Sequence, residues 1–219
     1  MKMSKKALAL MLSMMLVFGC AVGGTVAWLT ATTDNVVNTF TVGNINIELA
    51  ETPVDEYGVK AAGAVLTVGQ DNTYKMIPGS VYPKDPTVTV KADSEACYLF
   101  IKVVESANFD TFMTYSINTA ENEWKALDGQ AGVYYREVNA ATAKAGKEYN
   151  ILGSGSLEVD GKQYNWSANE VLVKPNVTKD TMNTVGENKP TLTFKAAAVQ
   201  SANIGNVTDA WAQVSALLA

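Results

Sequence analysis

Few side chains in this sequence have types and spacings that could do chemistry. Cys97 sits in the run Ala96-Cys97-Tyr98-Leu99-Phe100-Ile101. A reactive thiolate needs positive charge beside it, and Lys102 is the only close candidate, so the residue reads as a buried small hydrophobe. Trp124, Trp166 and Trp211 could stack on sugar rings, although the same residue type more often fills or covers a core. Asp71-Asn72 and Asp128-Gly129 could lend oxygens to a weakly held calcium ion. Neither belongs to a D-x-[DN]-x-[DN]-G loop, and turn chemistry alone accounts for both. Asp and Glu are scattered, so no glycosidase-type carboxylate pair stands out. The 219 residues include no His. That removes Ser-His and Cys-His nucleophile pairs and every zinc site built on imidazole. There is no GxxxxGK[ST] loop and no GxGxxG after a strand. Gly153-Ser154-Gly155-Ser156 opens no helix and reads as a hairpin turn. No catalytic, cofactor-binding or metal-binding residue is assigned, no cofactor is expected, and the chain reads as a non-enzyme.

Composition narrows the classes further. Hydrophobic residues make up 47% and charged residues 18%, a globular balance with few charges. Seventeen basic residues against 22 acidic ones give a net charge of −5, which leaves no basic surplus for phosphates and argues against nucleic acid as a partner. Lys2, Lys5 and Lys6 precede an uncharged apolar stretch, Ala7 to Phe18. Its length suits an export signal better than a membrane span. Thr25 and Ala27 place small residues at −3 and −1 of a cleavage site, so residues 1–27 read as a signal peptide cut between Ala27 and Trp28. The rival is a lipobox, Val17-Phe18-Gly19-Cys20, in which Phe18 fits poorly. Cleavage after Ala27 removes Cys20, so Cys97 has no internal disulfide partner.

The elements that must position these residues are mostly strands. Ile45, Ile47 and Leu49 alternate with Asn44, Asn46 and Glu48. Phe40 and Val42 have the opposite parity, which predicts a bulge or bend at Gly43. Val88 and Val90 form another one-faced strand, and Tyr98 to Val104, apolar on both faces, suits a central strand. Thr111–Ile117, Val133–Val138, Ser156–Val159 and a stretch from Leu192 through Ala198 are further strands, punctuated by Pro78-Gly79, Asp128-Gly129 and Asp160-Gly161. Helix is expected over 140–145, stopped at Gly146, and at the C-terminus, with Thr208 as N-cap and Trp211, Val214 and Leu218 on one face. Residues 28–219 therefore read as a single, mostly β domain, an antiparallel β-sandwich with few short helices, including a C-terminal one. Periodicity leaves the immunoglobulin-like and jelly-roll orders both open.

Three blocks carry a resemblance. The first is Gly23-Gly24-Thr25-Val26-Ala27-Trp28-Leu29-Thr30 followed by Asn38-Thr39-Phe40-Thr41-Val42-Gly43-Asn44-Ile45. The second is Ile77-Pro78-Gly79, then Pro83-Lys84-Asp85-Pro86-Thr87-Val88 and the strand from Ala96 to Val103. The third is Lys195-Ala196-Ala197-Ala198-Val199-Gln200 with Ala210-Trp211. Together they resemble the TasA/camelysin family, exported bacterial proteins with a SipW-type signal peptide, with a divergent middle from about Ser106 to Lys189. The resemblance implies a jelly-roll sandwich and a secreted protein of the extracellular matrix or cell surface. It also implies assembly into biofilm matrix fibres, in which one subunit's N-terminal segment completes its neighbour's sheet. Camelysin is described as a metalloprotease. This chain has no His and no HExxH motif, so that activity is not carried over.

The segment after the cleavage site is independently suited to such a role. Residues 28–37 carry Trp28, Leu29, Val36 and Val37 and no turn residue that would fold them back as a hairpin. An apolar tail of this kind either packs on its own domain or is donated to another chain. The expected partners are copies of the chain itself, head to tail, with a related matrix or anchor protein as a further candidate. Membrane contact is expected only through the signal peptide before cleavage. The alternatives are a monomeric surface-associated binding module and, third, a secreted carboxylate-dependent hydrolase. Intact mass of exported protein is expected to give a chain beginning at Trp28. A lipidated Cys20 at the N-terminus would refute that cleavage site.

Overall fold

Alternating apolar and polar residues make the strands here, and Gly, Asp and Asn at positive φ make many of their turns. In this computed structural model residues 43–219 are described. In chain order the strands are β1 (Ile47–Glu51), β2 (Thr67–Val68), β3 (Val81–Pro83), β4 (Thr87–Val90) and β5 (Cys97–Glu105). Next come β6 (Met113–Thr114), β7 (Ser116–Ile117), β8 (Lys125–Ala126), β9 (Val133–Val138) and β10 (Lys147–Asn150). The last five are β11 (Leu152–Gly153), β12 (Gly155–Val159), β13 (Lys162–Trp166), β14 (Glu170–Val173) and β15 (Leu192–Gln200). Among the described residues four short α-helices join them: α1 (Phe109–Phe112), α2 (Ala140–Ala145), α3 (Lys179–Asn183) and α4 (Val207–Val214). A 3₁₀ turn, Ser215–Leu218, follows α4.

Two four-stranded sheets dominate, in the orders β10-β4-β1-β2 and β15-β5-β9-β8. Every strand pair, including those of the smaller sheets, is antiparallel. The two sheets share one core. Val88 and Val90 of β4 lie in the same buried cluster as Cys97, Leu99 and Ile101 of β5, with Ile47 and Leu49 of β1 and Leu192 and Phe194 of β15 packed against it. The mostly β, antiparallel class with few short helices is as the sequence predicts.

β5 has its expected two-sided burial. Cys97, Leu99 and Ile101 face the shared core, and Phe100 faces a second cluster with Ala197, Ala210, Val214 and Leu218. That second cluster is the underside of α4, whose Trp211 ring lies 5.5 Å from the Phe100 ring. Burying Phe100 completely contributes about 2–3 kcal/mol. The helix starts one residue pair earlier than expected. Asn206 is the N-cap, accepting from the Asp209 amide at 3.0 Å and donating to its carboxylate at 2.8 Å, while Thr208 lies inside the helix. Asn at N-cap with an acidic residue at N3 satisfies the free amides better than Thr two places later.

Three further expectations change or fall outside. Thr111–Ile117 is not one strand. Phe109 and Phe112 are both buried, and only a helical turn puts residues three apart on one face, so α1 precedes the two short strands β6 and β7. Gly153-Ser154-Gly155-Ser156 is not a hairpin turn, because Gly153 pairs with Ser116 in β11 and Gly155 begins β12. Gly155 is required for close approach instead: a Cβ there would stand 2.2 Å from Cζ2 of Trp166. The hairpin turn falls at Asp160-Gly161, as expected. The bend expected at Gly43 has its upstream half, Phe40 and Val42, outside the described residues.

Cys97 is fully buried, and burial pushes its thiol up to about 11. A thiol reagent at pH 8 is expected to label native protein at least about a hundredfold more slowly than denatured protein. Fast native labelling would refute the placement of β5.

Candidate functional site: an open sheet edge beside an apolar groove

A sheet edge offers unpaired amides and carbonyls, and most proteins blunt it with charge, shortness or cover. The outer strands of the two main sheets differ in this respect. β8 is two residues long and carries Lys125, and β10 carries Lys147 and Glu148. β15 is nine residues long, and all nine pair with β5, from Leu192↔Glu105 to Gln200↔Cys97. Among the described residues no strand pairs with its other side. Its one charged residue is Lys195, whose ammonium donates to the Ala219 carbonyl oxygen.

A groove of about 420 Å³ lies beside the first residues of β15. Leu49, Phe109, Met113, Val171, Leu192 and Phe194 give it an apolar lining, and Glu51, Lys84 and Tyr74 form a polar wall. The segment Lys84-Asp85-Pro86 builds that wall. Lys84 Nζ pairs with Glu51 Oε2 at 3.0 Å, with both side chains about nine-tenths buried, and lies 5.7 Å from the Phe194 ring centroid. Asp85 accepts from the Thr52 amide and the Thr52 hydroxyl, each at 2.8 Å, and from Lys60 at 2.7 Å. Burial alone would raise the Asp85 carboxyl; the Lys60 bond and the two Thr52 bonds outweigh it and hold the group below its ordinary range. Tyr74 donates to the Pro83 carbonyl at 2.7 Å. Burial first, then the charge of Glu51, push its phenol well above the usual range, so it stays a neutral donor. The charges of this wall are matched internally, Lys84 by Glu51 and Asp85 by Lys60.

The other sequence candidates sort clearly. Trp124 and Trp166 are buried, and Trp124 Nε1 donates to the Asn150 carbonyl at 2.8 Å with the Arg136 guanidinium 5.4 Å from its ring. Neither ring is available to stack on a sugar, and the half-buried Trp211 packs on Phe100. Asn72 is used structurally: its amide donates to the Thr52 carbonyl at 2.9 Å and its oxygen accepts from the Val54 amide at 3.1 Å. Asp128-Gly129 makes the turn between β8 and β9. The cleavage pair Ala27 and Trp28, the lipobox Cys20 and the donor residues Trp28, Leu29, Val36 and Val37 lie outside the described residues. Sequence reasoning missed Glu51, Tyr74 and Phe109 as groove residues. The one available signal was Lys84-Asp85, two charges between prolines, which entered only as part of the second resemblance block.

No family model matches the chain, and neither a curated protein nor a solved structure matches it.

Removing one partner of a buried ion pair strands the other. Lys84→Met is expected to lower unfolding free energy by about 3 kcal/mol in denaturant titrations. The double variant Lys84→Met with Glu51→Gln is expected to recover a good part of it. Equal losses in the single and double variants would refute the pairing.

Proposed function

We propose that this protein is a secreted structural subunit that assembles head to tail. In this reading residues 28–37 of one copy, exposed by cleavage after Ala27, add to the free edge of β15 in the next. The observation that carries it is the nine-residue β15 edge, open among the described residues, with an apolar groove at its start. An added strand gains main-chain hydrogen bonds along the edge and seats alternate side chains in the groove. Trp28, Leu29, Val36 and Val37 are the available anchors. The resemblance to the TasA/camelysin family supports the same reading. It extends the proposal to a jelly-roll strand order, a biofilm matrix or cell-surface location and no enzymatic role.

Chain direction favours donation over self-docking. The Glu95 amide bonds to the Asn44 carbonyl at 2.9 Å and the Ser201 amide to the Ala96 carbonyl at 2.9 Å, so Gly43 enters the fold beside the Gln200 end of β15. A chain's own segment laid along β15 and leading into Gly43 would run parallel to it. A neighbour's segment is free to run antiparallel, the direction of every other pair in the fold and the slightly stronger one. The joint is heterologous, so it propagates into a filament unless the rotation closes a ring.

The experiment is electron microscopy of protein beginning at Trp28, held for days at neutral pH, beside a version lacking residues 28–37. Filaments are expected from the first and none from the second. Equal filaments from both would exclude donation by this segment, and a persistent monomer at high concentration would exclude the fibre reading.

A further inference from the structure

We propose that β2 and its flanks, Ala61–Gln70, form a lateral surface at which two copies of this chain pair edge to edge. This goes beyond the head-to-tail reading, since it uses a different sheet edge and does not need residues 28–37.

Exposed apolar side chains concentrate in the β1–β3 connection that contains this segment. Of the seven large hydrophobic residues exposed among the described residues, Tyr57, Val59, Val65, Val68 and Ile77 fall between β1 and β3. Val65 and Val68, at 70% and 60% exposed, are the two that lie within Ala61–Gln70. Among the described residues β2 is the outermost strand of its sheet, and its one partner is β1, through Ala50↔Val68 and Glu51↔Thr67.

The usual edge protection is missing. Residues 61–70 read Ala-Ala-Gly-Ala-Val-Leu-Thr-Val-Gly-Gln, ten positions without a charge or a proline. The outer strands β8 and β10 both present charges. An uncharged edge rich in β-branched residues is the kind that pairs with another strand.

Charge and symmetry choose the occupant. The chain carries a net charge of −5, so two copies repel at most approaches. A ten-residue uncharged window is where they meet with least repulsion. An antiparallel edge is self-complementary about a two-fold axis, so β2 of one copy pairs with β2 of the other in an isologous contact. Two residues of regular strand make a weak pair. Repeated along a filament, the same contact gains from effective concentration.

The test compares the freshly purified chain with a Val65→Lys/Val68→Lys double variant and a Leu217→Lys control, by sedimentation velocity at rising concentration. Both valines are solvent-exposed, so the variant is expected to fold. Wild type and control are expected to dimerise. The double variant is expected to need at least about tenfold higher concentration, the loss of roughly one buried valine. Amide exchange of Thr67, Val68 and Gly69 is expected to slow with concentration in wild type and not in the double variant. Where filaments form, the double variant is expected to grow them at the wild-type rate but without side-by-side pairs. Unchanged association in the double variant, or a wild type that neither dimerises nor pairs laterally, would overturn the surface. Loss of filaments on removing residues 28–37 tests only the head-to-tail reading, so the two ideas fail separately.

Discussion

The constraint that organises this protein is that β5 is apolar on both faces. A strand of that kind is stable only when covered twice. One face meets β4 across the shared core, where Val88, Val90, Leu99 and Ile101 are all fully buried. The other face, through Phe100, requires α4 and the turn after it, with Val214 and Leu218 closing over the ring. β5 also pairs on both sides, with β15 along its whole length and with β9. The places of β9, β15 and α4 follow from burying this one segment.

That arrangement has a consequence at the sheet margin. Because β5 takes β9 on one side and β15 on the other, β15 is, among the described residues, an outer strand with nine residues of backbone on its free side. Its inward side chains at Ala196 and Ala198 are small, while Leu192 and Phe194 line the groove. The Lys84–Glu51 pair and the Asp85–Thr52 bonds hold β1 and the β3–β4 connection together at the groove wall. A buried, internally matched ion pair adds little net stability, but it fixes geometry, since misplacing either partner strands a charge. The proposed assembly therefore acts on an edge that the core creates and a wall that a few polar bonds hold in shape.

The sequence alone determined the local elements with strong periodicity. The one-faced strand of Val88 and Val90, the doubly apolar run around Leu99 and the helix stopped by Gly146 all reappear, because each is dictated by side-chain period or by a Gly that tolerates positive φ. It determined the buried setting of Cys97 for the same reason. The absence of His, and the chemistry that absence removes, were equally legible.

Tertiary structure alone decided the rest. Phe109 and Phe112 form a helical turn because both must reach the core, which overrides the β-like run that follows. Gly155 serves the Trp166 ring and not a turn, a contact between residues whose meeting depends on the β12–β13 register. The strands β10 and β14 left little trace, because Lys147-Glu148-Tyr149-Asn150 is mostly polar and Glu170–Val173 is four residues long. The groove brings Leu49, Lys84, Phe109 and Phe194 together from positions spread over most of the described chain. Periodicity reports which way a side chain points along its own element. It carries no information on which distant element that side chain will meet, and the open edge and its groove are made of such meetings.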